Sequence, residues 1–314
     1  MKTVVTLGEI LVEIMATKMG QTFLAPGELV GPYPSGAPAI FIDQVARLGQ
    51  PCGMIGCVGE DDFGALNVER LKADGVDISA IAVHPEVPTG TAFVTYQASG
   101  ERHFVFNIRH SASGHVRIDA AADSLLRRCD HFHVMGSSLM SPEVMVAMRS
   151  AIERVKGRGG TVSFDPNSRK ELASGSDIAA FIDFVVGASD TVMPSGPELL
   201  ILTGQDDEKR AIESLLNRGA GCVVVKRGPA GASYFDRNGV IDASPFVVKE
   251  VDPTGAGDCF GATFVVCRLR QMSVPESLRY ANASGAHKVM FRGPMEGVAG
   301  FEQLDAWMAG RSAG

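Results

Sequence analysis

Val251-Asp-Pro-Thr-Gly-Ala-Gly-Asp-Cys-Phe-Gly261 decides the reading of this chain. Its first residues end an extended run. Its last ones begin a helix whose buried face carries Phe260, Phe264 and Cys267. Asp258 then falls in the first helical turn, with Gly255, Ala256 and Gly257 at the mouth. Main-chain amides in that turn lack a helical partner, and the helix dipole adds partial positive charge. Small residues let an anion approach those amides closely, so the turn suits a phosphoryl group in transit. Asp258 has two readings. It is a carboxylate that favours the dipole and caps the helix, or it is the base that takes a proton from a hydroxyl attacking beside the anion.

Outward from this segment, strands alternate with helices. Val4 to Leu7 is a short β-branched run that stops at Gly8-Glu9. A helix opening near Pro38, with Ile42, Val45 and Ala46 on one face, ends at Gly49. A second runs from Ser141-Pro142 to Gly157. Strands follow at Thr161 to Phe164, Thr191 to Met193 and Cys222 to Lys226, with helices at Pro197 to Thr203 and around Ile212, Leu215 and Leu216. This rhythm predicts an α/β fold, a three-layer α/β/α core around a mostly parallel sheet. Right-handed crossovers align the strand C-termini along one edge, where ligands bind. Tyr234 to Ile241, turning at Asn238-Gly239, reads as a hairpin at the sheet edge. Residues 11–35 and 87–110 break the rhythm with alternating runs and no helix, and Ser99-Gly100 turns one pair. They are predicted to form a small antiparallel β lid, leaving 1–10, 36–86 and 111–314 as the core.

The 314 residues carry 36 acidic against 29 basic side chains, a formal charge of −7, which argues against nucleic acid as a partner. With 45% hydrophobic and 21% charged residues the chain can bury a sizeable core. The longest clear apolar run, Phe260 to Cys267, is far short of the roughly 20 residues a membrane helix needs. Glu9 interrupts the apolar start before a signal peptide could form, so a soluble cytoplasmic protein is expected. The six cysteines read as buried reduced thiols, Cys259 among them, because no histidine adjoins it. Cys52 and Cys57 lack a second zinc-binding pair, and His131 and His133 read as core histidines. Asp62-Phe63-Gly64 imitates a protein-kinase metal tripeptide but is read as a turn, and no Gly-x-x-x-x-Gly-Lys phosphate loop occurs.

Asp252-Pro-Thr-Gly-Ala-Gly-Asp258 resembles the C-terminal signature of the ribokinase-like, or PfkB, carbohydrate kinases. Ser35-Gly-Ala-Pro-Ala, a helix ending Arg47-Leu-Gly and then Gly56-Cys-Val-Gly-Glu-Asp-Asp-Phe-Gly64 is similar to its N-terminal one. The resemblance spans nearly the whole chain. It implies an ATP- and Mg2+-dependent kinase with Asp258 as base and Gly255, Ala256 and Gly257 as anion hole. Glu13 and Gly36 would contact the sugar, as would Asn107 and Arg109 from the lid. Asp165-Pro-Asn167-Ser-Arg169 is similar to a segment of fructokinase-like and ketodeoxygluconate-kinase-like members, in which Arg169 would reach substrate or phosphate; its plainer reading is a strand-end salt bridge. Lys226, Gly228 and Gly231 resemble the nucleotide-phosphate loop, and Asn282 and Ala286 the helix beside adenine. Glu198 would orient a Mg2+-bound water. Asp252 and Thr254, with the loop around Gly293, stand where many relatives hold a monovalent cation such as K+. A homodimer paired through the lid is implied as well.

The chain also departs from that pattern. Ser35 replaces a glycine and Ile40 an asparagine of the N-terminal signature, and Ser195 stands for an asparagine three places before Glu198. Sugar-acid kinases often end the lid aromatic-aromatic-Arg. Here Phe106-Asn107-Ile108 puts Arg109 one place late, and a one-residue shift on a strand reverses its face. That favours a neutral ketohexose such as tagatose or fructose over 2-keto-3-deoxygluconate. A non-catalytic sugar or nucleotide sensor is the reading from a different class.

Overall fold

A computed structural model of the protein describes residues 1–97, 102–167 and 176–311. Its strands, in chain order, are β1 (Val4–Leu7), β2 (Leu11–Ala16), β3 (Leu29–Ser35), β4 (Cys52–Gly59), β5 (Asp77–His84), β6 (Gly90–Tyr96), β7 (Arg102–Asn107), β8 (His131–Met135), β9 (Thr161–Asp165), β10 (Thr191–Val192), β11 (Cys222–Lys226), β12 (Ala232–Asp236) and β13 (Gly239–Ala243). Nine of them form one sheet in the order β13-β12-β11-β10-β9-β8-β1-β4-β5. From β11 to β5 every pairing is parallel. The β12–β13 hairpin closes the other edge antiparallel, turning at Arg237-Asn238.

The helices are α1 (Ala37–Arg47), α2 (Asp62–Ala73), α3 (Ala120–Arg127), α4 (Pro142–Gly157), α5 (Ser176–Ala188), α6 (Gly196–Thr203), α7 (Glu208–Asn217), α8 (Ala256–Leu269), α9 (Val274–Lys288) and α10 (Phe301–Ala309). Strand alternation divides the core between the two faces of the sheet. Val5 and Leu7 of β1 join α3, α4, α5 and α7 on one side, while Val4 joins α1, α8, α9 and α10 on the other. These are the three predicted layers. All ten residues from Asp258 to Cys267 are buried, so the body of α8 is walled in while Ala256 and Gly257 at its start are half-buried. The six cysteines are free and buried. His131 and His133 are core residues that share the Ser163 hydroxyl, each at 2.8 Å. Asp62-Phe63-Gly64, expected as a turn, opens α2 instead, because the Asp61 carboxylate accepts from the Gly64 amide at 2.8 Å and caps the helix.

A second sheet, β3-β2-β6-β7, comes from the two segments that break the rhythm. Neighbours in sequence pair antiparallel, β2 with β3 and β6 with β7, whereas β2 and β6, far apart in sequence, run parallel. Both segments therefore leave the core in the same direction. Along β7, Arg102, Phe104 and Phe106 are half-buried and His103, Val105 and Asn107 exposed, a clean two-residue period. The Ser99-Gly100 turn lies outside the described residues.

Candidate active site

Gly255 caps α8 at φ 86°, and a Cβ there would come within 2.5 Å of the Pro294 carbonyl, so only glycine makes this entry. The amide of Ala256 leans on the Pro253 carbonyl at 3.3 Å, and the turn then opens on two cavities. Ala256 and Gly257 line the larger, of about 460 Å³, together with Lys226, Gly228, Gly231 and Asn282. Its remaining wall is largely apolar, with Phe246, Val247, Val248 and Val289, a surface suited to a flat base. Thr254 and Asp258, from the same turn, line a narrow cavity of about 40 Å³ beneath the lid, with Glu9, Glu13, Ser35 and Gly36. One turn of helix thus stands between the two.

Asp258 is 6% exposed, and its Oδ1 accepts from Asn167 Nδ2 at 3.2 Å. Asn167 holds φ at 34°, a conformation rare outside glycine, and its main-chain amide donates to Asp165 Oδ1 at 3.2 Å. The strained residue is therefore fixed from both ends and aims its side-chain amide at the Asp258 carboxylate. Asp165, at the end of β9, also pairs with Lys226, at the end of β11. Burial pushes the Asp165 carboxyl up, with Lys226 opposing. Burial would lower Lys226, but Asp165, Glu198 and Asp258 outweigh it and hold the ammonium above the ordinary lysine value. The Lys226 ammonium lies 3.5 Å from where a Gly257 side chain would begin, so a fixed cation adjoins the turn that opens α8.

On the lid side, Gly36 has φ 114° and its missing side chain would strike the Glu9 carbonyl at 2.4 Å. Glu13 is 3% exposed, with the Ser35 and Thr254 hydroxyls each at 3.5 Å. Arg102 crosses from β7 and donates to Thr254 Oγ1 at 2.9 Å, joining lid to core. The Phe104, Phe106 and Ile108 side chains form the roof. Asn107 and Arg109 are not brought here. Asn107 is on the exposed face of β7, and Arg109, past the strand end, lines a separate cavity with His115 and Glu143. Arg169 lies outside the described residues.

Other predicted residues have visible structural duties. Asn282 donates to the Ala243 and Ser244 carbonyls at 3.2 and 2.9 Å, which positions the loop walling the larger cavity. Glu198 accepts from the Ser195 amide at 2.8 Å, capping α6. Asp252 accepts from the Thr254 amide at 3.0 Å and from the Gly293 amide at 2.9 Å, tying the signature to the following loop. Sequence reasoning missed Glu9, whose carboxylate accepts from Ser137 and Ser138 at 2.6 and 2.5 Å, and Arg102. It quoted Asn167 without giving it a role. The signals were the positions of Glu9 and Asn167 just beyond strand ends, and the parity of Arg102 with Phe104 and Phe106.

The chain is similar along nearly its whole length to known proteins. A crystal structure described as a candidate ribokinase II from E. coli, with ATP and Mg2+ bound, is 48% identical at TM-score 0.94, covering 98% of this chain and 99% of that one. Vibrio cholerae O395 fructokinase, solved with fructose, ADP and calcium and, as a double mutant, with fructose, ADP and potassium, is 27% identical at TM-scores 0.83 and 0.84. The match covers 98% of both chains. Fructokinase-1 of Zea mays is 32% identical over 292 residues, 90% of each chain. Residues 1–298 match the pfkB family carbohydrate kinase pattern. With a helix mouth, a buried aspartate and a β lid arranged as above, the chain belongs to the pfkB family of carbohydrate kinases.

Proposed function

We propose that this kinase transfers the γ-phosphate of ATP to a hydroxyl of a small neutral ketose, with fructose or tagatose as the substrate. The observation that carries the reading is the shared wall: one turn presents Ala256 and Gly257 to the larger cavity and Asp258 to the cavity under the lid. A hydroxyl beside Asp258 gives its proton to that carboxylate as its oxygen bonds the γ-phosphorus. The bond from that phosphorus to the bridging oxygen breaks, and ADP leaves. The amides at the mouth of α8 and the Lys226 ammonium stabilise charge on the moving group. Lid residues exclude water from it.

Among the described residues no cluster of three acidic, His or Cys side chains could hold a metal by itself. Glu198, through a water, and the nucleotide phosphates would hold a Mg2+. When bound, the ion neutralises phosphate charge.

A neutral sugar suits the lid cavity because Glu9, Glu13 and Asp258 all face it, three carboxylates that disfavour an anionic substrate. The Vibrio enzyme, which binds fructose, supports the same choice. The protein acts in the cytoplasm, where ATP is at hand; no described helix is long and apolar enough to cross a membrane. Phe23, Leu24 and Val105, exposed on the lid, supply the contact for a homodimer, whose mass light scattering reads.

The test is ADP release with a panel of fructose, tagatose and 2-keto-3-deoxygluconate. A ketose is expected to give the highest kcat/KM. Preference for the sugar acid overturns the substrate assignment, and binding without sugar-dependent ADP release identifies a sensor.

A further inference from the structure

Lys288, the last residue of α9, is 0% exposed, and none of the steps above uses it. A lysine is almost never sealed in this way without a task for its charge. Its ammonium donates to the main-chain carbonyls of Asp252 at 3.4 Å and Phe291 at 3.3 Å. Its Cε lies 3.3 Å from where a Gly255 side chain would start, directly against the turn that opens α8. Burial lowers its pKa, and the carboxylates of Asp252, Glu13 and Glu296 oppose that pull. Carbonyl oxygens with carboxylate charge behind them are the environment proteins offer to potassium. Asp252 and the loop around Gly293 are also the place to which the sequence assigned such an ion.

The residues present do not fit one. The Asp252 carbonyl is engaged by Lys288, both Asp252 carboxylate oxygens accept main-chain amides, and a second cation would sit beside an ammonium. We propose that the Lys288 ammonium is a tethered monovalent cation, seated against the anion-holding turn, and that this kinase therefore neither takes up nor needs potassium there. Lys288 is a positioning residue. It touches neither cavity and acts through Gly255 and Asp252, holding the amides at the mouth of α8 in register.

The inference rests on the sugar-kinase reading, and the experiment separates the two. ADP release by the native protein is measured with KCl replacing choline chloride at constant ionic strength, and thermal melting is followed in the same series. Neither kcat nor the melting temperature should respond to potassium. Lys288→Met should lose about tenfold or more in kcat with a smaller change in sugar KM, as expected when a fixed charge near the reacting anion is removed. It should regain part of that loss, and gain thermal stability, with potassium or ammonium but not choline. Potassium-dependent turnover or melting in the native protein overturns the proposal and leaves the kinase reading intact. Full kcat in Lys288→Met without potassium also overturns it. If that variant does not fold, the native titration decides alone. A native protein with no sugar-dependent ADP release fails the kinase reading instead, and melting still reports whether potassium binds.

Discussion

Asp258→Asn changes one atom of the proposed base without changing its volume, so the variant isolates proton acceptance. In the native protein Oδ1 accepts from Asn167 at 3.2 Å, and the carboxylate lines the cavity under the lid. In the variant the new amide keeps that bond by turning its carbonyl to Asn167, and its NH2 then points where the acceptor was. General-base removal costs about 10² to 10⁴ in rate. That is about 2.7 to 5.4 kcal/mol at roughly 1.36 kcal/mol per tenfold. The upper half of the range applies here, because the side chain is only 6% exposed and bulk water cannot replace the base. The expected kcat is therefore lower by about 10³ or more. The mouth of α8 is untouched, so ATP and sugar should bind within about threefold of native. Coupled ADP release gives the rate and isothermal titration gives the two affinities. A kcat within tenfold of native refutes the role of Asp258. Equal losses in rate and in both affinities refute it differently, by showing that the carboxylate only shapes the site.

Arg102→Ala removes the contact from lid to Thr254, partly exposed and hence worth about 1 kcal/mol, less than a buried charged hydrogen bond. Sugar KM should rise about fivefold and sugar-independent ADP release should increase; unchanged values for both would show that the lid closes without it. Acid should destabilise the fold through the buried histidines, since burial holds His131 at about 4 and His133 well below its ordinary value. Their folded values lie under the unfolded one, so this contribution is complete above pH ~6.5 and is lost as pH falls toward 4, at about 1.4 kcal/mol per pH unit for each imidazole that titrates. Thermal melts between pH 7 and 4.5 read it, and a constant melting temperature counts against it.

The core was readable because its signals are local. Val4 to Leu7 and Cys222 to Lys226 are β-branched or apolar runs that end at polar or glycine residues, as buried parallel strands do. The mouth of α8 was readable for the same reason: Gly255 to Asp258 is one continuous turn. The direction of pairing between β2 and β6 depends on two segments some eighty residues apart and leaves no local trace. The cavity-facing side of β7 is legible in its two-residue period, whereas Asn107 and Arg109 were implied by the family resemblance alone. Counting back by twos from Phe106 through Phe104 reaches Arg102, the arginine that touches the site.

What no local pattern records is how the site's charges are balanced. Glu9 follows β1, Asp165 ends β9 and Lys226 ends β11, so three strands that are not neighbours deliver charged groups to the same edge of the parallel sheet. Burial of much of the Lys226 side chain would lower its pKa, but Asp165, Glu198 and Asp258 together hold it above the ordinary lysine value. A lone Asp165–Lys226 pair would be a poor source of stability, since desolvating two ions can exceed their attraction. Its position explains it better. The pair keeps an ammonium beside Gly257, where the proposed function needs a cation for the phosphate, and ties Asn167, through Asp165, to Asp258. The strained φ of Asn167 follows from that double duty, because its main-chain amide must reach back to Asp165 while its side chain reaches forward to Asp258.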